Sequence, residues 1–363
     1  MRASRHHVFP ALSLAFLVCL ALGCGGAGTP RAEPTVPAAK RPSQDTRSAG
    51  EAPPVGLRIT PVAVNAKGLL PCLIWADDGG SAFFAADHDQ AVLYRFSGTD
   101  YQTKETVHLK AKPSWLARSA EGLIVTIADR GEFRLLDAQT FAVKKNGSIP
   151  QLQRVVSAPA SAVAVAETSA FGSELVVVDL KTDAQTKIPG PKRLGNLGYG
   201  GQPAMAPDGR SVYTNALAGS IVRWTMNGST LTLAEIGPRM CSGPAYAITI
   251  SADSRYVAQP FAQGNCEAGQ PYGTLILDAA LQRHCLVSTG RFSEPLGFDV
   301  ANNVVYTGSD HHGLVTFDIE SGVKKKEYGK FGKGDHKQYL VHPAGKRVVV
   351  LQSEALSYVE IEE

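Results

Sequence analysis

The chain has 363 residues, 44% apolar and 19% charged, with 36 glycines and 22 prolines. That is enough apolar matter for a core and enough turn formers for many short elements. The formal charge of +3 falls to +1 once Arg2 and Arg5, which lie in an acid-free leader, are set aside; this balance argues against nucleic acid, which calls for a concentrated basic face.

Arg2, Arg5, His6 and His7 precede an apolar run from Val8 to Leu22, interrupted by Pro10 and Ser13. A basic start followed by an apolar stretch of about 14 residues predicts a signal peptide over residues 1–23. The stretch is shorter than the roughly 20 residues a transmembrane helix needs. It ends Leu20-Ala21-Leu22-Gly23-Cys24, which resembles the lipobox of bacterial lipoproteins. The resemblance spans five residues, with Leu22 where a small residue is commoner. It implies a diacylglyceryl group on Cys24 and a lipid anchor in a membrane; the alternative is an ordinary signal peptide cut nearby. At about 0.8 kcal/mol per buried methylene, two or three acyl chains give stable anchoring. Residues 24–55 then carry the acceptor cysteine and a Gly/Pro/Ala/Ser-rich stretch with no apolar period, the composition of a flexible tether.

From residue 56 onward, short apolar runs alternate with turns. The stretch Pro203–Trp224 shows the phrase: a Pro207-Asp208-Gly209 turn, a run through Tyr213, a Gly219-Ser220 turn and a second run to Trp224. Equivalent runs end at Arg95, Asp137, Asp179, Trp224, Asp278, Asp318 and Glu362, in steps of 40 to 54 residues. Four of them end in Asp, whose carboxylate can accept from backbone N–H groups two residues on and close a tight turn.

Units of four short strands at that period predict an all-β fold, a seven-bladed β-propeller of four-stranded antiparallel blades over residues 56–363. Ala206-Pro-Asp-Gly-Arg210 and Val341-His-Pro-Ala-Gly-Lys346 resemble the turn between the first two strands of WD-repeat and YVTN-type propellers, although the Trp-Asp dipeptide is absent. Six or eight blades is the alternative count, the fifth unit being irregular, with an insertion near 263–272. The last unit lacks a fourth strand, while Gly56–Val64 precedes the first unit with no blade of its own. Pairing that segment onto the last blade closes the ring and covers two edges. Pro61 suits the outermost position, where a missing donor costs little.

Of the cysteines beyond Cys24, four fall in the expected propeller: Cys72, Cys241, Cys266 and Cys285. Sequence alone allows three full pairings. The propeller resemblance puts Cys241 and Cys266 in loops on one face, which makes Cys241–Cys266 the expected disulfide and leaves Cys72 and Cys285 as thiols. Their spacings are not those of a structural zinc site.

Asp87-His88-Asp89 and Asp310-His311-His312 occupy the same turn in their blades, and carboxylate with imidazole suits a divalent metal or acid/base chemistry. Turn geometry is the stronger explanation for both, so the metal is left unassigned. His336 sits where WD-type repeats often carry a structural His; Glu294 and Asp335 lie in loops on the same face. Trp75, Trp115 and Trp224 are expected between blades. Lys324, Lys325, Lys326, Lys330, Lys333 and Lys337 form a basic run, read as a solvated edge that blocks strand pairing or as a contact for anionic headgroups. No Gly-x-Ser-x-Gly elbow and no phosphate-cradling glycine loop occurs.

The leading expectation is therefore a monomeric, exported, lipid-anchored propeller at the cell envelope that binds a protein or ligand. No catalytic residue is assigned and no cofactor is expected. The outer membrane is the default, because Gly25 is not a retention signal of the Asp type. The alternative is a propeller hydrolase of the YVTN-lactonase type with an acidic/His loop face.

Overall fold

The computed structural model describes residues 56–168, 174–188, 199–216, 220–238, 248–262, 272–288, 297–309, 313–332 and 334–362. Residues 1–55 lie outside them, and so do Cys24, Cys241, Cys266, Glu294, Asp310, His311, His312 and Lys333.

A first strand, β1 (Leu57–Pro61), stands ahead of the blades. Blade one is β2 (Ile74–Trp75), β3 (Ala82–Asp87), β4 (Val92–Ser97) and β5 (Thr103–His108). Blade two is β6 (Trp115–Ser119), β7 (Gly122–Ile127), β8 (Glu132–Leu136) and β9 (Val143–Ser148). Blade three is β10 (Leu152–Ser157), β11 (Val163–Thr168), β12 (Glu174–Asp179) and β13 (Gln185–Ile188). Blade four is β14 (Tyr199–Met205), β15 (Ser211–Ala216), β16 (Ile221–Asn227) and β17 (Thr230–Ile236). Blade five is β18 (Thr249–Ile250), β19 (Tyr256–Ala262), β20 (Tyr272–Asp278) and β21 (Arg283–Val287). Blade six is β22 (Gly297–Asp299), β23 (Val304–Ser309), β24 (Gly313–Asp318) and β25 (Lys324–Gly329). Blade seven takes β26 (His336–Val341), β27 (Arg347–Gln352) and β28 (Leu356–Ile361). Every sheet is antiparallel and four-stranded, and the seventh reads β1-β28-β27-β26.

The second and third strands of a blade lie between two neighbours, so both of their faces need apolar residues. In β3, Phe83 and Ala85 pack against blade seven, whereas Phe84 and Ala86 pack against blade two. In β7, Leu123 and Val125 face blade one while Ile124 faces blade three. This is period-2 side-chain direction with no polar face. The outer strands do have one: in β5, Thr103, Lys104, Glu105, Thr106 and His108 are exposed. The core is divided into seven apolar clusters, each shared by two consecutive blades, the last of them joining blade seven to blade one. Trp224 belongs to the cluster between blades three and four, its indole N–H donating to Thr214 Oγ1 at 3.0 Å. Trp75 donates to the Val341 carbonyl at 2.8 Å and so ties blade one to blade seven.

The turns repeat as closely as the strands. After β8, β12 and β24, the terminal Asp carboxylate accepts from backbone N–H groups two or three residues on: Asp137 from Gln139 and Thr140, Asp179 from Lys181 and Thr182, Asp318 from Ser321. The fifth residue of each turn, Phe141, Asp183 or Gly322, is left-handed, with φ of 59°, 66° and 70°. These bonds hold the Asp137, Asp179 and Asp318 carboxylates below the usual range. The turns at Ala206–Arg210 and His342–Lys346 share a second geometry, with Gly209 at φ 70° and Gly345 at φ 73°.

Closure follows the counting argument. β1 pairs with β28 from Leu57 opposite Ile361 to Pro61 opposite Ser357, with Arg58 ion-paired to Glu360 across the seam. β1 is the outer strand of blade seven, so Pro61 withholds no donor that a further strand requires. Cys72, two residues ahead of β2, and Cys285, on β21, are buried free thiols. Burial pushes them up to about 12 and about 11.

Candidate interaction face

The turns joining second to third strands and the loops joining one blade to the next emerge on one face. Asp87-His88-Asp89 lies there, between β3 and β4. The Asp87 side chain is fully buried, accepting from the Gln90 backbone N–H at 2.8 Å and from the Gln90 side chain at 3.0 Å. Gly68 leans on that carboxylate, a Cβ there meeting both of its oxygens, while its own carbonyl accepts from the His88 N–H at 3.0 Å. Asp87 is thus committed to turn geometry. His88 Nδ1 sits 2.8 Å from the Pro113 carbonyl, which requires the proton on Nδ1 and leaves Nε2 as the acceptor. Asp89 is exposed. The matching turn of blade six carries Asp310, His311 and His312, outside the described residues, and blade seven separates the two blades. Among the described residues no three His, Cys, Asp or Glu side chains come together.

His336 is embedded. Its Nδ1 is 2.7 Å from the Tyr339 hydroxyl, and its ring meets Phe331 and Tyr339 edge-on at 5.2 and 5.6 Å. Burial pulls the imidazole down to about 4. Asp335 is exposed at the entry to β26. Trp115 lies under the Arg154 guanidinium, 4.6 Å from the ring centroid, and Arg154 pairs with buried Glu167 at 3.0 Å. That stack joins blades two and three. Along β25, Lys324 pairs with Glu327 at 3.1 Å and Lys325 with Asp318 at 3.3 Å. Lys326 lies over the Tyr328 ring, and Lys330 is exposed.

Between blades one and two the loop face opens into a groove of about 320 Å³. Ala91, Leu109, Ala111 and Ile127 supply its apolar lining; Lys110, Lys112, Asp129 and Arg130 supply the charge. Lys110–Lys112 belong to the loop from β5 to β6, and Asp129 and Arg130 to the turn after β7. All four charged residues are exposed, and none forms an ion pair among the described residues. Arg130 reaches the Lys110 carbonyl at 3.4 Å. No motif marks this set, because three segments contribute to it; the only local signal is the Lys-Ala-Lys-Pro stretch at 110–113.

No protein-family model matches the chain, and no curated protein matches its sequence. Solved structures do match its shape. The β-propeller domain of Cps50 (Swd1) from Myceliophteria thermophila superposes with a TM-score of 0.65 at 11% identity, covering 84% of this chain and 99% of that one. The WD40 domain of Neurospora crassa Pan2 gives 0.61 at 10% identity, covering 82% and 92%. The fold is a WD40-type seven-bladed propeller. At these identities the likeness concerns backbone architecture alone.

Proposed function

We propose that this propeller is a binding scaffold, exported and held at the cell envelope by a lipid on Cys24, which engages a protein partner through its loop face. The observation that carries the reading is the groove between blades one and two: exposed cations with no ion pair among the described residues surround apolar residues, on a ring that the shared clusters hold together. Repeat folds present such surfaces from a fixed frame. A photo-cross-linking residue at position 112, on the loop face, is compared in intact cells with one at position 324, on the outer strand of blade six. A discrete adduct from 112 and none from 324 is expected; equal yields sink the scaffold reading. Incorporation of labelled palmitate, lost in Cys24→Ala, is the expected result for the anchor, and no label in the unaltered chain removes it.

A second reading, the hydrolase of YVTN-lactonase type, has the orientation of His88 in its favour. Its anchored Nδ1–H leaves Nε2 available as a base beside exposed Asp89. Turnover of a lactone panel that disappears in His88→Ala supports this reading, and an unchanged rate in that variant removes it.

A further inference from the structure

Accepting the scaffold reading, we infer that the groove between blades one and two binds an acidic peptide segment of the partner, one carrying Asp or Glu beside an apolar side chain. Three features converge on that chemistry. Lys110, Lys112 and Arg130 bring three positive charges to the groove against one negative charge at Asp129, and none is neutralised by an ion pair among the described residues. The backbone N–H groups of Lys110, Ala111 and Lys112 donate to no acceptor among the described residues, which leaves each of them free to bond a partner. An unbonded N–H beside an exposed cation can donate to a carboxylate in a charge-assisted hydrogen bond. Half-buried Ala91 and Leu109, backed by buried Ala111 and Ile127, then offer apolar contact to an aliphatic side chain.

Charge balance separates a peptide from a polyanion. Asp89 and Asp129 stand exposed on the same face, and the whole chain carries only +3. A nucleic-acid backbone needs several phosphates neutralised along a continuous basic track, whereas a short peptide needs only one or two carboxylates met locally. The apolar lining also gives a sugar-phosphate chain nothing to bury.

The test uses the full-length chain and a displayed library of dodecamer peptides with two fixed Asp positions and ten randomised ones. Selected peptides are measured by fluorescence anisotropy against the unaltered chain, against Lys110→Ser/Lys112→Ser/Arg130→Ser and against Asp129→Asn. The expected result is enrichment of acidic peptides carrying Leu, Ile or Val. Their affinity should fall about tenfold or more in the triple variant, which removes three exposed charge contacts, and rise in Asp129→Asn. That gain separates lost contacts from lost folding. Binding should also weaken from 0.1 M to 1 M salt as the screening length drops from about 10 Å to about 3 Å.

Acidic peptides that bind the triple variant as tightly as the unaltered chain overturn the groove, and an absence of enrichment does the same. In both cases the cross-linking comparison still decides the scaffold reading by itself. Tripolyphosphate that binds the groove as tightly as the peptides overturns the peptide assignment and leaves a general anion site.

Discussion

His336 has its imidazole enclosed by Phe331 and Tyr339, and enclosure disfavours its charged form. Its pKa falls from 6.5 in the unfolded chain to about 4 in the fold. Between those values the unfolded chain binds more protons, so stability drops as pH falls from 6.5 through 4. The contribution is present in full above pH 6.5. Its size is about 2 kcal/mol, less than the whole shift implies because the residue keeps some exposure. His342, lowered by burial and by Arg347, acts in the same direction. Urea unfolding at pH 7, 5.5 and 4.5 should show a shallower loss in His336→Gln than in the unaltered chain; equal slopes refute the assignment. The structural role of His336 was legible only through the resemblance to WD-type repeats, which often carry a His at that place; no other blade of this chain has one at the start of its first strand. The groove residues were not, since Lys110 and Arg130 meet only through the packing of two blades and neither lies in a repeated position. Asp87 is the simpler case: its place between two strands favours turn geometry over chemistry, and its burial and its bonds to Gln90 make it part of a turn.

The turns after the third strands form a natural experiment among elements. Asp137, Asp179 and Asp318 close the same loop, yet the left-handed position is filled by Phe141, Asp183 and Gly322. Side chains at such φ cost of order 1 kcal/mol, which glycine avoids. Gly322 has a second reason: a Cβ there lies 2.6 Å from the Leu286 carbonyl of blade five. Gly322→Ala should therefore lower stability by about 1–3 kcal/mol, read as a drop in the denaturant midpoint. A neutral Gly322→Ala would show that blade five yields at this contact. The Asp signal was readable because the turn is made within five residues of one chain segment. The inner strands β2 and β18 were harder to read, being two residues long; their place is fixed by the strand they pair with rather than by any pattern of their own.

At the scale of the molecule, seven clusters shared between neighbours leave no blade with a private core. The seven-blade count was legible from the period, and the closure from a strand lacking a partner at each end of the repeat. Deleting residues 57–61 should expose the β28 edge, lower the melting temperature by roughly 10 °C or more and promote self-association. A synthetic peptide of residues 56–62 added in trans should restore the monomer. A deletion variant that stays monomeric with an unchanged midpoint refutes the role of the seam.

That seam also lies where the N-terminal segment enters the ring. Leu57 is the first residue of the closing strand, and Gly56 still accepts a hydrogen bond from Glu362 at 2.9 Å. Tension on the N-terminal segment therefore arrives first at a five-residue strand held by a single neighbour. Blades one to six are each made of strands adjacent in the chain, and they take up load only after β1 has peeled away. The clasp that completes the circle is thus its mechanical fuse, and a pulled molecule opens there, between blades seven and one, before it unravels anywhere else.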